Sequence, residues 1–123
     1  MPARYTILKK TRTQVNVKVV GQGSVTIPFT DMKLADETLA TPAVSIVAAN
    51  WSVHQDLGVV VISRGSNITQ YLYSSDDWRL AQENGVSDTE YTTDALTIDI
   101  QGSNGTVFVM LHKLSGFVEP NTQ

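Results

Sequence analysis

Apolar residues recur at every second position along most of this chain. The alternation is clearest at residues 15–19 and again at residues 25–29, and a glycine-containing segment at residues 21–24 separates the two runs. A period of two is typical of a strand that buries one face, and two such runs around a glycine turn predict a β-hairpin. Pro28 cannot donate a ladder hydrogen bond, so we expect the second strand to end near it.

A second hairpin is predicted further along the chain. Residues 58–63 form a nearly continuous β-branched run, residues 64–67 have the composition of a tight turn, and residues 68–73 resume the strand pattern. A continuous β-branched run indicates a strand that is buried on both faces or lies at a subunit contact. Between the two hairpins we expect one more strand at residues 44–53, with Trp51 as a core anchor.

A third predicted hairpin consists of residues 96–100 and 107–111, joined by a turn signal at residues 102–105. The helical signal is limited to a turn at residues 31–35, which is too short to be stable alone. Seven or eight short strands of this kind are typical of an all-β antiparallel sandwich, either jelly-roll or immunoglobulin-like. One domain should span all 123 residues, with a frayed tail at residues 115–123.

The composition excludes several classes of chemistry. Cysteine is absent, which removes disulfides, thiolate zinc sites and cysteine nucleophiles. His54 and His112 belong to no Ser-His-Asp order, and no serine lies in a G-x-S-x-G elbow. We therefore expect a protein that is not an enzyme and has no catalytic residue, cofactor or metal. No apolar stretch approaches the roughly 20 residues that span a bilayer, and no secretory signal is visible, so no membrane partner is expected.

The charge is distributed unevenly along the chain. Residues 1–30 hold five basic residues and no acid, whereas residues 31–123 hold four basic and twelve acidic residues. A basic segment on an acidic body favours docking onto an acidic surface, including a second copy, and residues 1–12 are therefore predicted to be a docking arm. The alternative is that these charges protect an edge strand from unwanted pairing. Nucleic acid is not an expected partner, because the pI is acidic and basic and aromatic residues do not interleave. The docking residues predicted in this segment are Arg4, Lys9, Lys10 and Arg12.

A second candidate contact region is the polar, acidic stretch at residues 74–90. A loop of this length in a small domain is usually functional. Trp78 within it either folds back over the core or is an exposed contact anchor. The carboxylates of this stretch, together with Asp94, could also hold calcium, although their spacing matches no EF-hand loop. The contact residues predicted in this region are Asp76, Asp77, Trp78 and Arg79.

Three segments of the chain carry a family resemblance. They are residues 3–11 (ARYTILKKT) with the strand that follows, the turn at residues 64–67 (RGSN) with its preceding strand, and residues 105–117 (GTVFVMLHKLSGF). Together they cover most of the chain and resemble small virion structural proteins of tailed bacteriophages.

The resemblance implies a non-enzymatic role in the virion, with no catalytic motif to transfer. Capsid decoration or cement proteins of this kind are small β domains that assemble as oligomers over contacts between capsid subunits. The expected partners are other virion proteins, foremost the major capsid protein, and further copies in a homo-oligomer such as a trimer. The expected location is the virion, after assembly in the host cytoplasm.

Two alternatives stay open at this point. A tail, baseplate or fibre-knob component would recognise a host surface through residues 74–90. A carbohydrate-binding β-sandwich would need exposed aromatic residues on one face, and Tyr71 and Tyr73 share a strand face. That spacing is equally expected of core or interface packing.

Overall fold

The computed structural model describes residues 2–54, 56–73, 75–78 and 92–118. Every strand pair in this part of the chain is antiparallel, which confirms the predicted all-β antiparallel fold class. The described residues form seven strands, which agrees with the predicted seven or eight. The elements in chain order are β1 (Arg4–Lys10), β2 (Gln14–Ile27), α1 (Phe29–Met32), β3 (Thr38–Ser52), β4 (Val59–Arg64), β5 (Asn67–Tyr73), β6 (Ser75–Trp78) and β7 (Leu96–Val118).

Two long strands, β2 and β7, form the centre of the sheet. The strand order is β1-β2-β7-β3-β6, and β4 joins the sheet by pairing with the first part of β7 while β5 pairs with β4. Residues 96–101 of β7 therefore lie beside β4, whereas residues 106–118 lie beside β3. Buried side chains from both parts belong to one apolar cluster, so the two branches enclose a single core, as in a sandwich.

Glycine-containing segments bend these two strands at the positions where the sequence predicted hairpin turns. Gly21 is paired with Gly105 and Gly23 with Ile100, so residues 101–104 of β7 lie opposite Gln22 alone. The predicted first and third hairpins are therefore wrong, because each pair of runs belongs to one continuous strand with a bulge. Gly102 shows why a glycine is needed: its φ is +82°, and a Cβ there would lie 1.8 Å from the carbonyl oxygen of Leu57.

The bulge also reverses which residues of β7 face the core. Before it, the buried residues are even-numbered, as at Ile98 and Ile100, and after it they are odd-numbered, as at Val107, Val109 and Leu111. The three extra residues of β7 at the bulge change the register by an odd number, which turns each later side chain to the opposite face.

Other predictions of local structure are confirmed. The β4–β5 hairpin forms as predicted, and β2 ends directly before Pro28. The predicted helical turn exists as α1, two residues earlier than expected. Trp51 is buried in the core, and its indole Nε1 donates to the carbonyl oxygen of Tyr73 at 3.0 Å. Tyr5 on β1 donates through its hydroxyl to the carboxylate of Asp31 on α1, which ties the edge strand to the helix.

The predicted frayed tail begins later than expected. Residues 115–118 belong to β7 and pair with β3, so the prediction is wrong for them. Phe117 explains the order, because its ring packs against the core and lies 6.3 Å from the ring of Phe29 in an edge-on arrangement. Residues 119–123 lie outside the described residues.

Candidate interaction surfaces

The four basic residues of the predicted docking segment lie at one edge of the sheet. Arg4, Lys9 and Lys10 are exposed residues of β1, and Arg12 follows in the turn to β2. Lys10 Nζ donates to the backbone carbonyl of Asp31 at 3.3 Å. The segment is a paired edge strand, as the alternative interpretation of its charge supposed, and its docking role stays a prediction.

Arg12 is engaged within the chain. Its guanidinium forms two hydrogen bonds with the carboxylate of Asp36, at 2.9 and 2.8 Å, and lies 3.6 Å from Glu37. Glu37 in turn accepts from Lys113 Nζ at 2.9 Å and from the backbone N–H of Leu34 at 2.7 Å. We call Arg12, Asp36, Glu37 and Lys113 the corner cluster, because they join the β1–β2 turn, the segment before β3 and the end of β7.

Lys113 and Glu37 form the buried part of the corner cluster. Their side chains are only 2% and 1% exposed, and Lys113 Nζ also donates to the carbonyl of Thr11 at 2.8 Å. Burial raises the pKa of the Glu37 carboxyl, but the hydrogen bonds from Leu34 and Lys113 and the nearby positive charges outweigh it and hold the pKa below its usual value. The hydrogen bond from Arg12 likewise lowers the pKa of Asp36.

The second predicted contact region is separated from the first. Asp76, Asp77 and Trp78 belong to β6, which pairs with β3 at the opposite end of the strand order from β1. The structure therefore does not bring the residues of β6 together with the basic edge. Arg79 and residues 80–91 lie outside the described residues, so the alternatives for Trp78 and for calcium stay predictions.

The outward face of β7 is a surface that the sequence analysis did not single out. Phe108, Met110 and Leu114 project from it and are between 37% and 48% exposed. Lys18 of the neighbouring strand places its Nζ 5.7 Å from the centre of the Phe108 ring. We call Phe108, Met110 and Leu114 the β7 face. Its signal in the sequence is that both alternating sets of residues 107–111 are apolar, whereas a strand with one wet face has only one such set.

A second exposed apolar surface lies on β5. Ile68, Tyr71 and Tyr73 are between 52% and 64% exposed, and the two tyrosines share one face of the strand, as the sequence predicted. Val61 lies opposite Tyr71, and Asp99 lies beyond Val61 in the sheet. We call Ile68, Tyr71 and Tyr73 the β5 surface.

The histidines have different surroundings. His54 Nδ1 accepts hydrogen bonds from the backbone N–H groups of Asp56 and Leu57 at 3.1 and 3.2 Å, which closes the turn before β4. His112 is exposed on the outward side of β7, where Gln14 and Ser45 lie opposite it in the two neighbouring strands. The contacts of His54 give it a structural task in a turn.

In residues 2–54, 56–73, 75–78 and 92–118, no group of three or more His, Cys, Asp or Glu side chains is placed to hold a metal ion. The helix of this same part of the chain is not long and apolar enough to cross a membrane.

Comparison with known proteins finds no family model that matches the chain, and no curated protein or solved structure that is significantly similar to it.

Proposed function

We propose that this chain is a non-enzymatic structural protein of a tailed-phage particle that acts as a capsid decoration or cement protein. Its partners are the major capsid protein and further copies of itself, and its place is the assembled virion. The class of protein in this proposal, a virion structural protein, is taken from the resemblance of three segments to small virion proteins. The observation that carries it is the exposed apolar β7 face.

The position of the β7 face makes its exposure informative. β7 lies between β2 and β3, so Phe108, Met110 and Leu114 occupy the middle of the sheet. A sheet face that meets only water normally presents polar residues at these positions. Exposed apolar side chains with polar neighbours, here including His112 between Met110 and Leu114, are typical of a surface that another protein covers.

The neighbours of the β7 face have the chemistry of an interface rim. Lys18 and Asn50 lie opposite Phe108 on the two flanking strands, and Asn16 lies opposite Met110. An apolar centre with a polar border matches the general anatomy of protein–protein interfaces. Docking through this face would leave the basic edge strand β1 beside the contact, where it could pair with acidic groups of a capsid subunit.

The test is co-sedimentation of the purified protein with capsid particles of the encoding phage. We expect the unaltered chain to bind and the double variant Phe108→Thr with Met110→Thr to lose binding, since threonine keeps β propensity and removes apolar area. Leu57→Thr is the matched control, because Leu57 is also an exposed apolar residue but lies outside the β7 face.

Each outcome decides a separate point. Failure of the unaltered chain to bind capsids would overturn the decoration proposal and turn attention to the tail or to glycans. Equal binding of the double variant and the unaltered chain would show that capsid binding uses a different surface. Loss of binding in Leu57→Thr as well would indicate that the effect is not specific to the β7 face.

A further inference from the structure

The edge strands β1 and β5 differ in how they are protected. β1 carries Arg4, Lys9 and Lys10, and its register with β2 is irregular between Ile7 and Lys9. Charges and irregularities of this kind keep other strands from pairing with an edge. β5 has the sequence NITQYLY, with no charged residue and no proline, and pairs with β4 alone among the described residues. An uncharged edge with large exposed apolar side chains favours pairing with another strand.

The backbone N–H and C=O groups of Tyr71 are oriented to form hydrogen bonds with a further strand. The carbonyl oxygen of Tyr73 accepts from the Trp51 indole, so it points away from β4. Residues in an antiparallel ladder alternate between directing both backbone groups at the partner strand and directing both away from it. Tyr71 is two residues from Tyr73 in a stretch of regular register, so its N–H and C=O are directed at the edge of β5 that pairs with no other described strand.

We propose that β5 pairs antiparallel with β5 of a second copy of this chain, about a two-fold axis that passes between the two Tyr71 residues. This inference deepens the proposed function, on which it rests, by naming the surface through which copies meet. The pairing centres on Tyr71 because the Tyr73 carbonyl already has a partner within its own chain. The two Tyr71 residues then form a cross-strand aromatic pair.

The absence of charge on β5 favours a second copy as the partner. Two copies that each carry a net charge of −3 avoid placing like charges opposite each other when they pair through an uncharged surface. β5 supplies such a surface, and Asp99 is two strands away from Tyr71 across Val61. Self-pairing of β1 would instead bring its basic residues close to those of the second copy, which is unfavourable. An isologous contact of this kind closes as a dimer.

The first test uses the absence of cysteine from the chain. Cα atoms that face each other in a hydrogen-bonded antiparallel pair are about 5.5 Å apart, which suits a disulfide. We expect Tyr71→Cys to form a covalent dimer under mild oxidation. The matched control is Thr6→Cys, an exposed position on β1, which should remain monomeric on a denaturing non-reducing gel. Cross-linking of Tyr71→Cys no faster than Thr6→Cys would overturn the inference.

The second test adds a charge to each edge strand and follows native mass by analytical ultracentrifugation. We expect the unaltered chain and Thr6→Lys to dimerise, and Tyr71→Lys to raise the dimer dissociation constant by about tenfold or more, since like charges then lie opposite each other. Thermal melting of each variant verifies that it is folded. An unaltered chain that stays monomeric, or a folded Tyr71→Lys that dimerises equally well, would overturn the inference.

Dimerisation and capsid binding are measured separately. The cross-linking and ultracentrifugation contain no capsids, so loss of the dimer contact overturns the inference without touching the decoration proposal. Conversely, a dimer through β5 in a protein that ignores capsids would support the inference while the decoration proposal fails.

Discussion

Lys113 and Glu37 form an ion pair that is almost fully enclosed by protein, with 2.9 Å between Lys113 Nζ and Glu37 Oε1. They lie far apart in the sequence, and the pair fastens the segment before β3 to the end of β7. The remaining hydrogen-bonding groups of the pair reach Thr11 and Leu34, so the two charges are stabilised by backbone groups as well as by each other. A buried pair of this kind is costly to break from one side.

Lys113→Met should therefore strongly destabilise the fold. The substitution leaves the Glu37 carboxylate buried without its main cation, and we expect the free energy of unfolding to fall by about 3–5 kcal/mol in urea denaturation. The double variant Lys113→Met with Glu37→Gln should recover part of the loss, because no buried charge then remains. A loss in the single variant no larger than in Asp36→Asn, an exposed member of the same cluster, would contradict this expectation.

The lowered pKa of Glu37 makes stability depend on acid pH. Because the carboxyl has a lower pKa folded than unfolded, the unfolded state binds more protons in the acid range, and stability rises with pH there. The contribution is present above the ordinary value of 4.5 and is lost as pH falls through the folded pKa. Urea denaturation from neutral pH downward should show a shallower decline for Glu37→Gln than for the unaltered chain. Identical declines would show that other carboxyls dominate.

Gly102→Ala should test the bulge that joins the two parts of β7. A Cβ at this position meets the carbonyl of Leu57, and the substituted alanine must also adopt a positive φ. We therefore expect a loss of about 2 kcal/mol or more in unfolding free energy. Asn104→Ala is the matched control in the same bulge, exposed and without a positive φ, and should change stability little. Equal stability of the two variants would mean that the bulge can relax around a side chain.

Lys9→Gln tests the docking role of the basic edge. Lys9 is exposed on β1, so the change should leave the melting temperature unchanged. We expect it to weaken capsid binding by roughly 1.4- to fivefold, since an exposed charge pair contributes about 0.2–1 kcal/mol. The weakening should shrink as salt is added. Lys33→Gln removes a basic residue outside β1 and serves as the control. Equal effects of the two substitutions would argue against docking through this edge.

The sequence predicted the strand content and the β4–β5 hairpin because these depend on local patterns. It failed at residues 21–24 and 102–105 because a glycine-rich segment fits either a reversal or a bulge. The choice between them depends on the distant pairing of Gly21 with Gly105, which no local pattern contains. The β7 face was missed for a related reason, since both alternating sets of residues there are apolar and only the fold decides which of them is outside.

The sequence shows the tyrosines of β5 and the basic residues of β1, but it does not show that both groups lie on edge strands. Knowing that both lie on edge strands requires the order of strands in the sheet. Arg12 illustrates the same limit, because its partner Asp36 could be any of several carboxylates until the turn and the segment before β3 are placed together.

The pairing of β2 with β7 also constrains how the protein folds during synthesis. Gln14 near the start of the chain pairs with His112 near its end, and every other strand attaches directly or through a neighbour to this central pair. The central ladder can thus be completed only after residue 112 has left the ribosome. Pairing between such distant residues also makes a high contact order, which slows folding. Until then, the edge of β2 that pairs with β7 in the folded protein has no native partner in the nascent chain.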